Sequence, residues 1–272
     1  MPRTPRSLGY QTDLALLRLE GSQTDEREGY TVVRTPGNPT FWWGNFLLLH
    51  EPPEPGSLET WLAQFREAHP QAAHLALGVD ARDGRLEAGS EFEAAGLQPF
   101  RNTVLTTERT TPIRPLPPEI TLRPLASEAD WKETLALRLA VNAADPERHE
   151  ETSYRAFTGR KLAALRAAGE AGHGAYFGAF EGKKMLSGLG VYNAGGGVTR
   201  YQNVETHPDA RGRGLAGNLV HHAGEWAREN LSARTLVIVA DPEYHAQRLY
   251  ERVGFRPTEV QLGFERPPTP RP

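Results

Sequence analysis

The segment Thr111-Pro112-Ile113-Arg114-Pro115-Leu116-Pro117-Pro118 constrains the fold more than any other stretch, because it holds four prolines in seven residues. Each proline fixes its own φ, lacks an N–H and pushes the preceding residue toward extended backbone. Such a run enters neither a helix nor a central strand. It reads as an extended, semi-rigid connector. At about 100–200 residues per domain, a chain of 272 residues then divides into a domain at 1–110, a linker at 111–118 and a domain at 119–266. The Pro-rich end, 267–272, is expected to be a disordered tail.

The first part mixes element types. Tyr30–Arg34, Phe46–His50, His74–Val79 and Asn102–Thr107 read as strands. Ser57 is expected to cap a helix in which Leu58, Trp61, Leu62, Phe65 and Ala68 follow helical spacing. Glu87–Ala95 reads as a short helix. The aromatic run Phe41-Trp42-Trp43-Gly44-Asn45-Phe46 reads as core or a contact between domains, or else as the wall of an acceptor pocket.

The second part opens with a strand, Ile120–Leu125. Ser127 and Asp130 start a helix, and a second helix runs from about Glu147 to Ala168. Ala175–Glu181, Met185–Tyr192 and Val198–Thr206, separated by short Gly-containing turns, read as an antiparallel meander. A helix from Gly214 to about Asn230, a strand Thr235–Ala240, a helix Glu243–Arg252 and a strand near Glu259–Phe264 complete the order β-α-α-β-β-β-α-β-α-β. The fold class is α/β (α+β).

Composition removes several function classes. The absence of cysteine excludes disulfides, thiolate metal sites and a cysteine nucleophile. A formal charge of -3, with no repeats or interleaved aromatics around the Arg/Gly stretch, speaks against nucleic acid as a partner. The longest early apolar runs, Leu14–Leu17 and Phe46–Leu49, are too short for a signal or membrane segment. A cytoplasmic protein without membrane partners is expected.

The stretch that carries chemistry is Val204-Glu205-Thr206-His207-Pro208-Asp209-Ala210-Arg211-Gly212-Arg213-Gly214-Leu215-Ala216-Gly217. A strand ends, a Gly/Arg loop follows, and an amphipathic helix begins. Unpaired N–H groups at a helix N-terminus favour phosphate. Gly212 and Gly214 remove side chains that would block a close approach, and Arg211 and Arg213 can add charge-assisted bonds. Taken alone, the same residues also suit a turn that merely caps a helix.

Arg211-x-x-Gly214-x-Ala216 resembles the Q/R-x-x-G-x-G/A signature of the GCN5-related N-acetyltransferase (GNAT) superfamily. Ala246-Gln247-Arg248-Leu249-Tyr250-Glu251-Arg252-Val253-Gly254-Phe255 is similar to that superfamily's A-x-x-L-Y-x-x-x-G-F segment. The expected element order is also the superfamily's. The resemblance implies a mixed, mostly antiparallel sheet whose central strands splay apart, and acetyl-CoA as cosubstrate with no metal. Arg211, Gly212, Arg213, Gly214, Leu215, Ala216 and Gly217 would receive the pyrophosphate, and Val204, Glu205 and Thr206 would line the pantetheine arm. Tyr250 would protonate the leaving thiolate. The acceptor would be a primary amine of a small molecule or peptide. A non-catalytic acyl-CoA sensor on the same fold is the alternative. The superfamily's asparagine seven residues before the tyrosine is replaced here by Glu243.

The general base is less well marked. Glu205 is the nearest carboxylate, but side chains alternate along a strand. If Val204 and Thr206 line the cleft, Glu205 points away unless a bulge intervenes. His207 and Asp241 are further candidates, and ordered water could serve instead. Asn142, Asp145, Glu147, His149 and Glu150, at the junction of the first two helices, could favour a cationic acceptor or simply cap helices. In the first part, Phe92-Glu93-Ala94-Ala95-Gly96-Leu97 stands where Tyr250–Phe255 stands in the second. This suggests a tandem arrangement with a smaller, degenerate N-terminal copy that lacks the phosphate loop. Oligomerisation is left open.

Overall fold

The computed structural model describes residues 3–86, 88–242 and 246–268. These divide into two compact units. The first takes the chain up to Val104 and returns for residues 239–242 and 258–268; the second takes 105–238 and 246–257.

The first unit contains α1 (Leu8–Leu19), β1 (Gln23–Arg27), β2 (Tyr30–Arg34), β3 (Phe46–Leu49), α2 (Leu58–Ala68), β4 (Leu75–Val79), α3 (Gly89–Ala94) and most of β5 (Gln98–Thr107). β1, β2 and β3 pair antiparallel in sequence order, and β4 joins β3 in parallel. Every residue of β3 is buried, because helices cover both faces. Phe46 and Leu48 pack against Tyr10, Leu14 and Leu17 of α1, while Leu47 and Leu49 face α2 and α3. The aromatic run belongs to this core: Trp43 packs edge-on to Phe100, with ring centroids 4.7 Å apart, and its indole N–H donates to Glu265 at 2.8 Å.

Two helix starts depart from the sequence reading. No side chain of its own N-cap closes α1, which the sequence reading lacks along with β1. Instead the Asp80 carboxylate accepts from Ser7 N–H (2.9 Å) and Arg6 N–H (3.0 Å). Ser57 does not cap α2 through its side chain either. Its own backbone is already helical, and its hydroxyl donates to the Glu54 carbonyl. Glu91 of α3 accepts from Gly56 and Leu58 N–H in its place.

The second unit contains β6 (Ile120–Pro124), α4 (Glu128–Ala143), α5 (Glu151–Glu170), β7 (Gly174–Glu181), β8 (Lys184–Gly195), β9 (Val198–Thr206), α6 (Leu215–Asn230), the start of β10 (Thr235–Ala240), and α7 (Ala246–Val253). β7, β8 and β9 form the expected antiparallel meander, and β6 adds to its edge, antiparallel to β7. Ser127 and Asp130 form a reciprocal capping box on α4. α5 starts later than expected because Glu150 is its N-cap.

The last strand, β11 (Arg256–Arg266), runs antiparallel to β4 in the first unit, with Leu262 opposite Val79 and Arg266 opposite Leu75. The two helix-to-strand turns flagged as a possible repeat share one hydrogen-bond pattern. After α3, Leu97 N–H bonds Phe92 C=O (3.0 Å) and Gly96 N–H bonds Glu93 C=O (2.9 Å), with Gly96 at φ +79°. After α7, Phe255 N–H bonds Tyr250 C=O (3.0 Å) and Gly254 N–H bonds Glu251 C=O (3.1 Å), with Gly254 at φ +111°. No helix among the described residues is long and apolar enough to cross a membrane.

Candidate active site

The loop after β9 is built from the strand outward. His207 N–H bonds the Leu186 carbonyl (2.8 Å), tying the end of β9 to β8. The His207 ring accepts from Asp209 N–H at 3.3 Å and caps a single 3-10 turn, Pro208–Ala210, so this histidine has a structural task. Ala210 and Leu215 are buried against Ala179 and Leu186, anchoring both ends of the loop. Between them, Gly212 (φ +75°) and Gly214 (φ +82°) are left-handed, a conformation costing other residues about 1–2 kcal/mol.

Gly214 is the N-cap of α6 and supplies no capping side chain. Asn218 N–H bonds Gly214 C=O. The amides of Leu215, Ala216 and Gly217 therefore precede the first helical bond and have no acceptor within the helix.

The charges near this loop are arranged differently from the sequence expectation. Arg211 is exposed. Arg213 pairs with Glu181 at 2.8 Å. The guanidinium closest to the glycines is that of Arg114, which donates to the Gly212 carbonyl. A Cβ on Gly214 would lie 2.6 Å from Arg114 Nε. Arg114, Pro115, Leu116, Pro117, Gly212 and Arg213 line a cavity of about 420 Å³. Gly217 has a separate reason to be glycine: a Cβ there would meet Ile113 Cδ1 at 2.1 Å and Leu249 Cδ1 at 3.1 Å.

β9 and β10 pair in parallel only at Val198–Arg200 with Thr235–Val237. Beyond Arg200, the β10-side edge of β9 has no ladder partner among the described residues, which is the expected splay. β9 is also bulged. Gly188 stands opposite Glu205 but Gly190 opposite Gln202, and Asn203 takes φ +51°. The extra residue resets the side-chain alternation.

Glu205 points toward α4. Its carboxylate lies 3.4 Å from Arg138 Nη2 on α4, with 17% of the Glu205 side chain and 7% of the Arg138 side chain exposed. Burial pushes the Glu205 carboxyl above the usual carboxylate range, and the Arg138 charge opposes that rise. Arg138 also donates to the Tyr154 hydroxyl at 3.3 Å. Burial raises the neighbouring Tyr176 hydroxyl well above its ordinary value. Glu205 Oε2, Arg138 Nε and Nη1, and Asn203 Nδ2 are buried without a hydrogen-bond partner among the described residues. Arg138 carries no local sequence signal beyond its place on a helix, and only packing brings it to Glu205.

Tyr250 is buried on α7, edge-on to Phe255 with centroids 6.3 Å apart. Its neighbour Leu249 packs on Gly217, so α7 lies against the start of α6. Val204 and Thr206 are half-buried, and the Thr206 hydroxyl hydrogen-bonds Ser187 at 2.9 Å. Asp241 is exposed. Glu243 lies outside the described residues.

The polar cluster between α4 and α5 is occupied structurally. Asn142 and His149 exchange two hydrogen bonds of 3.0 Å. Asp145 accepts from Glu147 N–H at 2.9 Å. Glu150 accepts from Thr152 and Ser153 N–H, which lowers its carboxyl to about 2. Among the described residues, no cluster of His, Cys, Asp or Glu could hold a metal ion.

No curated protein matches this chain. Residues 135–255 match the Acetyltransferase (GNAT) family. Among solved structures, the chain is similar to a functionally unknown conserved protein from Staphylococcus epidermidis ATCC 12228, at 12% identity and TM-score 0.73, covering 91% of this chain and 95% of that one. It is similar to a GCN5-related N-acetyltransferase from Kribbella flavida, at 15% identity and TM-score 0.63, covering 96% and 97%. It is also similar to a tandem GNAT protein from the clavulanic acid biosynthesis pathway, at 13% identity and TM-score 0.56, covering 100% and 91%. At these identities the likeness is one of fold. The splayed strand, the Arg211–Ala216 loop and Tyr250 all fall within residues 135–255, the stretch that matches the acetyltransferase (GNAT) family.

Proposed function

We propose that this domain is an acetyl-CoA-dependent N-acetyltransferase that transfers acetyl to a primary amine of a small molecule or peptide by direct attack. The observation that carries the reading is the loop geometry. Left-handed Gly212 and Gly214 open onto a helix N-terminus whose first amides have no intrahelical acceptor, directly after a strand that has parted from its neighbour. These residues fit a diphosphate: the space over Gly212 is open, and Arg114, whose side chain fills the space over Gly214, borders the same cavity.

Acetyl-CoA supplies the activated thioester. The amides of Leu215, Ala216 and Gly217 would hold its diphosphate. The β10-side edge of β9 beyond Arg200 would offer main-chain groups to the pantetheine amides. Glu205 would take the proton from the acceptor ammonium, directly or through water, with Arg138 favouring its ionised form. Tyr250 would give a proton to the departing sulfur.

Calorimetry with acetyl-CoA followed by thiol release with an amine panel tests this. Binding with release for at least one amine is expected. Binding without release from any amine would favour a non-catalytic acyl-CoA sensor. No binding would remove the reading altogether.

A further inference from the structure

The proline-rich segment is held along α6, running against the helix direction. The Thr110 hydroxyl hydrogen-bonds His221 Nδ1 at 2.9 Å, Thr111 N–H bonds the Val253 carbonyl at 2.8 Å, and Ile113 packs on Gly217. Arg114 then reaches Gly212 and Gly214, and the Pro117 carbonyl accepts from Ile120 N–H at 3.0 Å where β6 begins. Pro112 and Pro115 bracket Ile113 and Arg114, so the backbone presenting Arg114 has little freedom to lose on binding.

We propose that Arg114 is a ligand for the diphosphate of the CoA cosubstrate, contributed by this strap and not by the glycine loop. The inference rests on the loop reading above. Of the loop's own arginines, Arg213 is neutralised by Glu181, and Arg211, exposed like Arg114, does not line the cavity. Arg114 makes one hydrogen bond, to the Gly212 carbonyl, and no ion pair among the described residues. A guanidinium carries five N–H donors, so the rest are available to phosphate oxygens in the cavity that Arg114 lines with Gly212. Its bond to Gly212 also holds the loop in the conformation that exposes the helix N-terminus.

The test is calorimetry on the full chain with acetyl-CoA and with dephospho-CoA, which keeps the diphosphate and lacks the 3′-phosphate. Thermal melting without ligand serves as the folding control. For Arg114→Gln, about tenfold weaker binding of both ligands is expected, with an unchanged melting temperature. Arg114→Lys should lose less, since the charge remains but the planar fork does not; should the Gln variant fold poorly, the Lys comparison carries the test. If wild type binds neither ligand, the loop reading itself falls. If wild type binds and Arg114→Gln binds equally or more tightly, only the strap inference falls. A loss confined to acetyl-CoA would overturn the diphosphate assignment.

Discussion

Arg138 on α4 and Glu205 on the bulged strand β9 form a buried ion pair, Nη2 to Oε1 at 3.4 Å, in which Glu205 Oε2 has no hydrogen-bond partner among the described residues. A carboxylate in this position has one oxygen held by the guanidinium and the other buried with unused hydrogen-bonding capacity. Glu205→Gln is expected to lower kcat at pH 7 by about 100-fold or more, with acetyl-CoA affinity retained. A kcat within a few-fold of wild type would remove Glu205 as the base.

The pH dependence follows from the same pair. Burial raises the Glu205 carboxyl and Arg138 lowers it. The proposed base acts in its ionised form, so weakening the Arg138 contact should move the acid limb of kcat/KM to higher pH. Deleting one partner of a buried pair costs about 3–5 kcal/mol, so Arg138→Lys is the variant to measure. An unmoved acid limb in a folded Arg138→Lys protein would show that Arg138 does not set the ionisation of Glu205.

Tyr250→Phe should reduce kcat by roughly 100-fold through loss of the proton donor. The change leaves the ring packing against Phe255 in place, so the melting temperature and the acetyl-CoA dissociation constant should stay near wild type. Steady-state kinetics alongside calorimetry separate the two effects, and undiminished turnover would take Tyr250 out of the chemistry.

Gly217 and Ile113 should be energetically coupled. Gly217→Leu forces a side chain into the space of Ile113 and Leu249 and should destabilise the protein by about 1–3 kcal/mol, the cost of overpacking. Ile113→Ala should recover part of that loss when combined with it. Urea denaturation of the four proteins gives the cycle; additive effects would mean that the strap does not pack on α6 in solution.

Asp130 accepts from the Arg123 guanidinium at 2.7 and 2.9 Å and from the Ala126 and Ser127 amides. Arg123, against an opposing desolvation cost, holds its carboxyl well below the usual range. The folded value lies below the unfolded one, so this contribution is complete above about pH 4, the ordinary Asp value, and is lost as pH falls from there through the folded value. Asp130→Asn should cost about 2 kcal/mol at pH 7 and should flatten the loss of stability on acidification below about pH 4. Parallel acid dependence of variant and wild type would exclude Asp130 as a contributor.

Much of the second unit is legible locally. The β7–β8–β9 meander, the Ser127–Asp130 capping box and the glycine loop before α6 each depend on residues a few positions apart, where alternation, capping chemistry and left-handed glycines act. The matching turns at Gly96 and Gly254 are of the same kind. By contrast, α1 and β1 escape a local reading because Asp80, far along the chain, closes the start of α1. Ser57 looks like a cap, yet Glu91 performs that task.

The amino-acid sequence by itself determined the element order from β6 to β11, the position of the glycine loop before α6 and the resemblance of this stretch to the acetyltransferase (GNAT) family, since these rest on local spacing. The tertiary structure alone decided that β11 pairs with β4, that Glu205 on the bulged strand meets Arg138, and that Arg114 leaves a proline-rich stretch to cover Gly214 and bond the Gly212 carbonyl. These are contacts between residues distant along the chain. They depend on which surfaces burial brings together, a choice that local patterns of polarity and backbone preference do not encode.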